Sequence, residues 1–432
     1  MIIKQLSDLN DTEIERLLNR EIALQNVMES VKNIIADVQE KGDAALIKYA
    51  KEFDKVEIKE LEVTEEERQD AETYLDKELI KYLEIASLNI AAFHGEQSKE
   101  DMWLSEFSPG ITLGQKISPL ECVGSYVPGG LASYPSTALM TVIPAKVAGV
   151  EDVIVCTPPK PDGSIDPLTL VAANIAGADN IYKVSGAQSI AAMAYGTETI
   201  PKVDKIVGPG NVYVTAAKML VRNEVETDFP AGPSEIMILA DQPLNKSLTK
   251  KASIIASDMI AQAEHDPMSL SILITTSQEL MKAVSSELKV QGKKAQRKDS
   301  VTKAIESSAI LTVKDLDEGI KFINKFAPEH LELMISDPLS VLKKIKHAGS
   351  IFIGDYSPVA GGDYAYGSNH VLPTGGYARV LSGLNVDHFT KKTSIQMLSK
   401  EGLRSMKDII IALAKAEGFE AHADSIRKRF EE

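Results

Sequence analysis

The run Ala327-Pro328-Glu329-His330 sets a carboxylate beside an imidazole, two proton acceptors that leave one backbone in different directions. Pro328 fits the start of a helix, which predicts Glu329 and His330 in its first turn. Acid–base catalysis is one reading of the pair; a solvated polar turn ahead of the apolar stretch 331–335 is the other. Gln262 and His265 lie three residues apart, one face of a helix expected over 247–264 and ended by Asp266-Pro267. They could share a metal, although an amide is an uncommon ligand and a helix-end histidine is often a surface residue stabilised by the helix dipole. The segment 355–374 is glycine-rich, aromatic and almost free of charge apart from Asp363, and its pattern predicts a long irregular loop. Asp363 and His370 within it offer a hard oxygen and an imidazole, both suited to zinc. Glu417 and His422 flank a break at Gly418, where a turn could bring them together.

Three glycine-bearing turns add a different chemistry: Tyr126-Val-Pro-Gly-Gly130, Gly186-Ala-Gln188 and Gly208-Pro-Gly-Asn211. Each follows a short apolar run and precedes a helical pattern. Such turns line the crevice of a parallel sheet, where backbone and helix N-termini meet phosphate. None is a GxGxxG, and tight turns needing positive φ would explain any one of them.

The elements that must position these residues are an α/β series. VIVCTPP, IYKVSG and KIVGPG are short strands closed by Gly or Pro, alternating with helices. SEIMILAD, SLSILITT, SAILTV and GSIFIGD repeat the alternation. The expected fold is therefore two Rossmann-like parallel-sheet domains, over 121–235 and 236–380. Residues 1–120 are expected to be a helical segment packing on the second of them, with helical spacing over 27–53 and 65–93. Residues 381–432 form a helical tail, with a helix at 403–417 and a last one ending in IRKRF.

Bulk properties narrow the partners. Sixty-two acidic against 47 basic residues give a net charge of −15, which argues against nucleic acid or an anionic membrane as partner. Cys122 and Cys156 both fall in apolar strands, which suits buried thiols and excludes a disulfide framework. The N-terminus reaches charge at once, with no apolar signal core, and no run is long enough to span a bilayer, so a cytoplasmic location is expected.

Seven stretches together resemble the histidinol dehydrogenase family: SYVPGGLASYPSTALMTVIPAKVAGV, GAQSIAAMAYGT, KIVGPGNVYV, DFPAGPSEI, AQAEHDP, FAPEHLEL and GDYAYGSNHVLPTGGYAR. They follow the family's order across residues 120–390. The resemblance implies zinc-dependent oxidation of L-histidinol through L-histidinal to L-histidine, with two NAD. It implies zinc held by Gln262, His265, Asp363 and His422, one ion per subunit, gripping the substrate rather than activating water. Ser234, Tyr364, His370 and Glu417 would contact substrate together with the zinc ligands and His330; Tyr126, Gln188 and Asn211 would contact NAD. His330 would be the base for the hydroxyl proton, and Glu329 would activate the water that hydrates the aldehyde. A homodimer is implied, the tail of one subunit completing the other's site. Two other classes fit the residues taken alone: a zinc hydrolase with Glu329 as base, and a non-catalytic nucleotide-binding module.

Overall fold

The computed structural model describes residues 1–20, 24–98, 100–129, 133–229, 232–242 and 247–431. Gly130, the last glycine of the first predicted turn, lies outside them. The strands run in chain order as β1 (Ile2–Gln5), β2 (Met102–Ser108), β3 (Ile111–Pro119), β4 (Cys122–Tyr126), β5 (Asp152–Thr157), β6 (Asn180–Lys183), β7 (Lys205–Val207) and β8 (Glu226–Thr227), followed by β9 (Glu235–Ala240), β10 (Leu270–Thr275), β11 (Ala309–Thr312), β12 (His330–Met334), β13 (Ser350–Ile353) and β14 (Thr390–Leu398).

The chain divides into two compact units. The larger, 1–97 with 121–389, carries two all-parallel sheets. The first has the order β6-β5-β4-β7-β8 and the second β11-β10-β9-β12-β13, with β1 added parallel beyond β11. Each therefore opens with its central strand, builds two strands to one side, and returns to build two on the other. That is the half-Rossmann order, and the point where the direction reverses is where a ligand crevice opens. Parallel strands covered on both faces read as continuous apolar runs, which is why most were visible in the sequence. β9 and β12 are buried at every position.

Two features of the larger unit correct the expectations. The N-terminal segment is not all helix packed on the second sheet. Only β1, with Leu9 and Leu17, joins that sheet's core, whereas the helix Gln25–Lys41 sends Val27, Val31, Ile34, Ile35 and Val38 into the core under the first sheet. Pro328 does not start a helix. Ala327 before it closes the helix Leu316–Phe326 in a left-handed conformation, φ 55°, and His330 begins β12. Pairing with β9 on one side and β13 on the other overrides the proline signal.

The smaller unit, 98–120 with 390–432, is an antiparallel sheet in the order β14-β3-β2 with two helices, Lys400–Ala416 and Glu420–Arg427. The helices were expected; the sheet was not. Every residue of β2 is exposed. Among the unit's described residues only Gly114, Gly402 and Ala423 are buried.

Candidate active site

The Glu329-His330 pair is buried, 4% and 5% exposed, not a solvated turn. Both side chains are held by one residue of the neighbouring strand. The Glu235 backbone N–H donates to Glu329 Oε2 at 2.9 Å, and the Glu235 carbonyl accepts from His330 Nδ1 at 3.0 Å. A carbonyl can only accept, so the proton sits on Nδ1 and Nε2 carries the free lone pair. Glu329 Oε2 lies 3.6 Å from His330 Nδ1. Glu235 is itself fixed: its carboxylate pairs with Arg20 and accepts from Gly375 N–H at 2.7 Å.

Electrostatics push the two groups apart. Burial, opposed by the Glu235 N–H bond and reinforced by the Glu235 and Asp363 charges, raises the Glu329 pKa well above the usual carboxylate range. A hydrogen bond from the Ser234 side chain also opposes that shift. Burial, opposed by the Glu235 carbonyl and reinforced by His265 and His370, drops the His330 pKa to about 3. His330 is thus a neutral imidazole across the physiological range.

His265 and His370 are close enough to perturb His330, and Asp363 is close enough to perturb Glu329. The structure therefore gathers four separate sequence segments at the amino ends of β9 and β12. Gln262 ends the helix Leu248–Ala263, buried, and His265 follows it at the exposed rim. Asp363 and Tyr364 close a short helix, Val359–Tyr364, where a fully irregular loop was expected. Burial raises the Asp363 carboxyl to about 7, and burial followed by His265 lowers the His370 imidazole to about 4. Two polar atoms here are buried without a protein partner, Gln262 Nε2 and His370 Nε2. Such orphans are uncommon and mark where a ligand completes the hydrogen bonding. An amide, an imidazole and a carboxylate fit the donor set of zinc. Among the described residues no three of His, Cys, Asp and Glu converge as a metal cluster.

Glu417 and His422 belong to the smaller unit. Both are exposed, Glu417 at the end of the helix Lys400–Ala416 and His422 in the helix Glu420–Arg427, its ring 5.2 Å from that of Phe419.

A second feature of the larger unit is a cavity of about 890 Å³ at the carboxyl ends of β4, β5, β6 and β7. Tyr126, Gln188 and Asn211 all line it. Asn211 caps the helix Val212–Leu220, accepting from the N–H groups of Tyr213 and Val214 at 3.0 and 3.2 Å. Gly208 has φ 113°, and a Cβ there would stand 2.1 Å from the Tyr126 carbonyl oxygen, so only glycine lets the two loops meet. The Tyr126 hydroxyl accepts from Gly186 N–H at 3.2 Å, and burial raises its pKa to about 12.

Residues that the sequence did not single out build these sites from behind. Glu235 and Arg20 brace the Glu329-His330 pair, and Asp228 accepts from Gly208 N–H at 2.8 Å while pairing with Lys218. Nothing in local spacing flags them, because a buried ion pair joins residues remote in sequence. The thiols of Cys122 and Cys156 are free and raised by burial, the former to about 11, which makes neither a nucleophile at neutral pH.

Fold and sites together describe an α/β protein of two Rossmann-like halves, with a cleft at the carboxyl ends of the strands in one and a buried carboxylate–imidazole pair in the other. The model of the histidinol dehydrogenase family matches residues 18–430, and the chain belongs to that family. Histidinol dehydrogenase of Methanosarcina barkeri is 57% identical over 430 residues, covering 100% of this chain and 98% of the relative. That of Bacillus cereus is 48% identical over 415 residues, 96% of this chain and 95% of the relative. The crystal structure of histidinol dehydrogenase from Elizabethkingia anophelis superposes with a TM-score of 0.93 at 38% identity, covering 100% of this chain and 98% of that one.

Proposed function

We propose that this protein oxidises L-histidinol through L-histidinal to L-histidine, passing two hydrides to two NAD. The observation that carries the reading is the Glu329-His330 pair, two bases held by one backbone and tuned in opposite directions. His330, protonated on Nδ1, presents Nε2 to take the hydroxyl proton as the hydride leaves the alcohol carbon. Glu329, a carboxylate that binds a proton readily, draws one from the water that adds to the aldehyde. His330 returns its first proton to the carbonyl oxygen as that water adds and, neutral again, takes the proton of the resulting hydrate as the second hydride leaves. Hydride transfer asks the protein chiefly for position and exclusion of water, and burial of the pair meets the second demand.

Gln262, His265 and Asp363 would hold a zinc ion, with Ser234, Tyr364 and His370 around the substrate. When bound, zinc would grip the substrate's imidazole and amine. The orphaned Gln262 and His370 atoms support a ligand at this place. The larger unit offers three of the four ligands, which supports a fourth, His422, and the substrate contact Glu417 coming from the tail of a second subunit. A smaller unit with almost no buried side chain supports an obligate homodimer, since so small a core cannot hold its own fold. Tyr126, Gln188 and Asn211 would contact NAD in the cleft. No helix among the described residues is long and apolar enough to cross a membrane, and a cytoplasmic location is proposed.

The test is absorbance at 340 nm on mixing protein, NAD and L-histidinol. A rise is expected, and it should vanish with a chelator and return with zinc, at about one zinc per chain by elemental analysis. A zinc hydrolase or a non-catalytic nucleotide-binding module would give no NADH. Full activity in metal-free protein would sink the zinc assignment.

A further inference from the structure

The dinucleotide cleft holds a carboxylate that neither the motifs nor the catalytic pair account for. Asp54 lines the cavity beside Phe53, at the end of a single π-helical turn, Ala50–Asp54. Its Oδ2 accepts from the Ser185 hydroxyl at 2.7 Å, and Ser185 Oγ accepts in turn from Gln188 Nε2 at 3.0 Å. This relay locks the carboxylate against the loop after β6. Oδ1 accepts no hydrogen bond from the described residues, so it remains available to a ligand.

Half-Rossmann folds usually select their nucleotide with an acid at the end of the second strand, which receives the adenosine ribose hydroxyls and repels a 2′-phosphate. Here the second strand is β5, and it ends in Thr157-Pro158-Pro159-Lys160, with no acid. Lys160 reaches Asp162 at 3.5 Å. The other acid on the wall, Asp166, caps the helix Pro167–Ala176, its Oδ1 accepting from Thr169 N–H at 3.0 Å. Asp54 thus brings to the cavity, from the N-terminal segment, a carboxylate that the second strand does not supply. Ser30, Ile34 and Phe53, also from the N-terminal segment, line the cavity beside Asp54.

We propose that Asp54 receives a hydrogen bond from an adenosine ribose hydroxyl and that its charge rejects a 2′-phosphate, so that this residue makes the cleft select NAD over NADP. The proposal rests on the dinucleotide reading of the cleft. Its test is calorimetric titration of the zinc-loaded protein with NAD and with NADP, backed by the kcat/KM ratio for the two. Wild type should bind NAD at least about tenfold more tightly than NADP, as one like-charge contact warrants. Asp54→Asn keeps an acceptor for Ser185 and should cut that ratio by roughly tenfold, mostly through a gain in NADP affinity. Asp54→Ser should act in the same direction, and Asp54→Glu should preserve discrimination, so misfolding of one variant leaves the question answerable. A wild type that binds neither nucleotide overturns the cleft reading itself. A wild type that binds both equally, or a ratio unchanged in both Asp54→Asn and Asp54→Ser while NAD still binds, overturns the role of Asp54 and leaves the cleft standing.

Discussion

His330 keeps its proton on Nδ1 because a carbonyl, which can only accept, is bonded there, and this bond decides which nitrogen can act as base. Burial then separates the two members of the pair, Glu329 upward and His330 down to about 3. Distinct tasks should show in the half-reactions. His330→Asn should slow oxidation of both histidinol and histidinal by a general-base factor of roughly 10²–10⁴. Glu329→Gln should slow chiefly the aldehyde step, because a glutamine can orient water but cannot take its proton. Single turnovers with each substrate, checked for zinc content, measure this; equal impairment of both steps by Glu329→Gln would refute the division. A pH dependence follows with a definite sign. As pH falls, Glu329, raised, gains its proton before an ordinary glutamate would, while His330, depressed, stays neutral. The acid limb of the histidinal reaction should therefore lie at higher pH than that of the histidinol reaction, and coincident limbs would contradict the assignment. At this scale the sequence was informative about residue types. It could not give the Glu235 backbone bracket or the Arg20 pair behind it, since neither leaves a trace in local spacing.

Elements place those residues, and they were legible where burial made them so. The runs VIVCTPP, SEIMILAD and SLSILITT read as strands because strands covered on both faces are apolar throughout. β12 hid because Pro328, Glu329 and His330 read as the polar first turn of a helix ahead of the apolar stretch 331–335, whereas burial of both polar side chains makes His330 the start of a strand. β2 and β14 hid for the opposite reason, being largely exposed within this chain and so patterned like surface, with β3 half-buried between them. The helix Val359–Tyr364 carries two glycines in six residues and gives no propensity signal. Glycine turns were read correctly as strand-to-helix junctions, and Gly208 makes the strongest claim. Gly208→Ala should push its loop away from Tyr126, weaken NAD binding, and cost on the order of 1–3 kcal/mol of stability. Calorimetric NAD titration and thermal unfolding measure both, and a variant that binds NAD and melts as wild type does would show that the close approach is not needed.

For the whole molecule, the same half-Rossmann order occurs twice, yet the two halves use opposite ends of their strands. The cleft lies at the carboxyl ends of β4–β7, whereas the acid–base pair lies at the amino ends of β9 and β12. The smaller unit exposes Trp103, Phe107, Leu413 and Phe419, the last three each by more than half. Large apolar side chains exposed in this way on a unit without a core call for a partner. Sedimentation should give the mass of two chains, and a stable monomer at micromolar concentration would argue against the dimer. Mixing inactive His422→Ala with inactive His330→Ala protein should restore part of the activity, because each mixed dimer regains one intact site. No recovery despite demonstrated subunit exchange would count against a shared site.

The proposed reaction is a four-electron oxidation carried through two steps at one site. It is tested most directly by supplying a known, limiting amount of L-histidinol to excess NAD and counting NADH at completion. Two NADH per histidinol, with L-histidine as the product, is the result predicted. One NADH per histidinol, with histidinal accumulating, would contradict it.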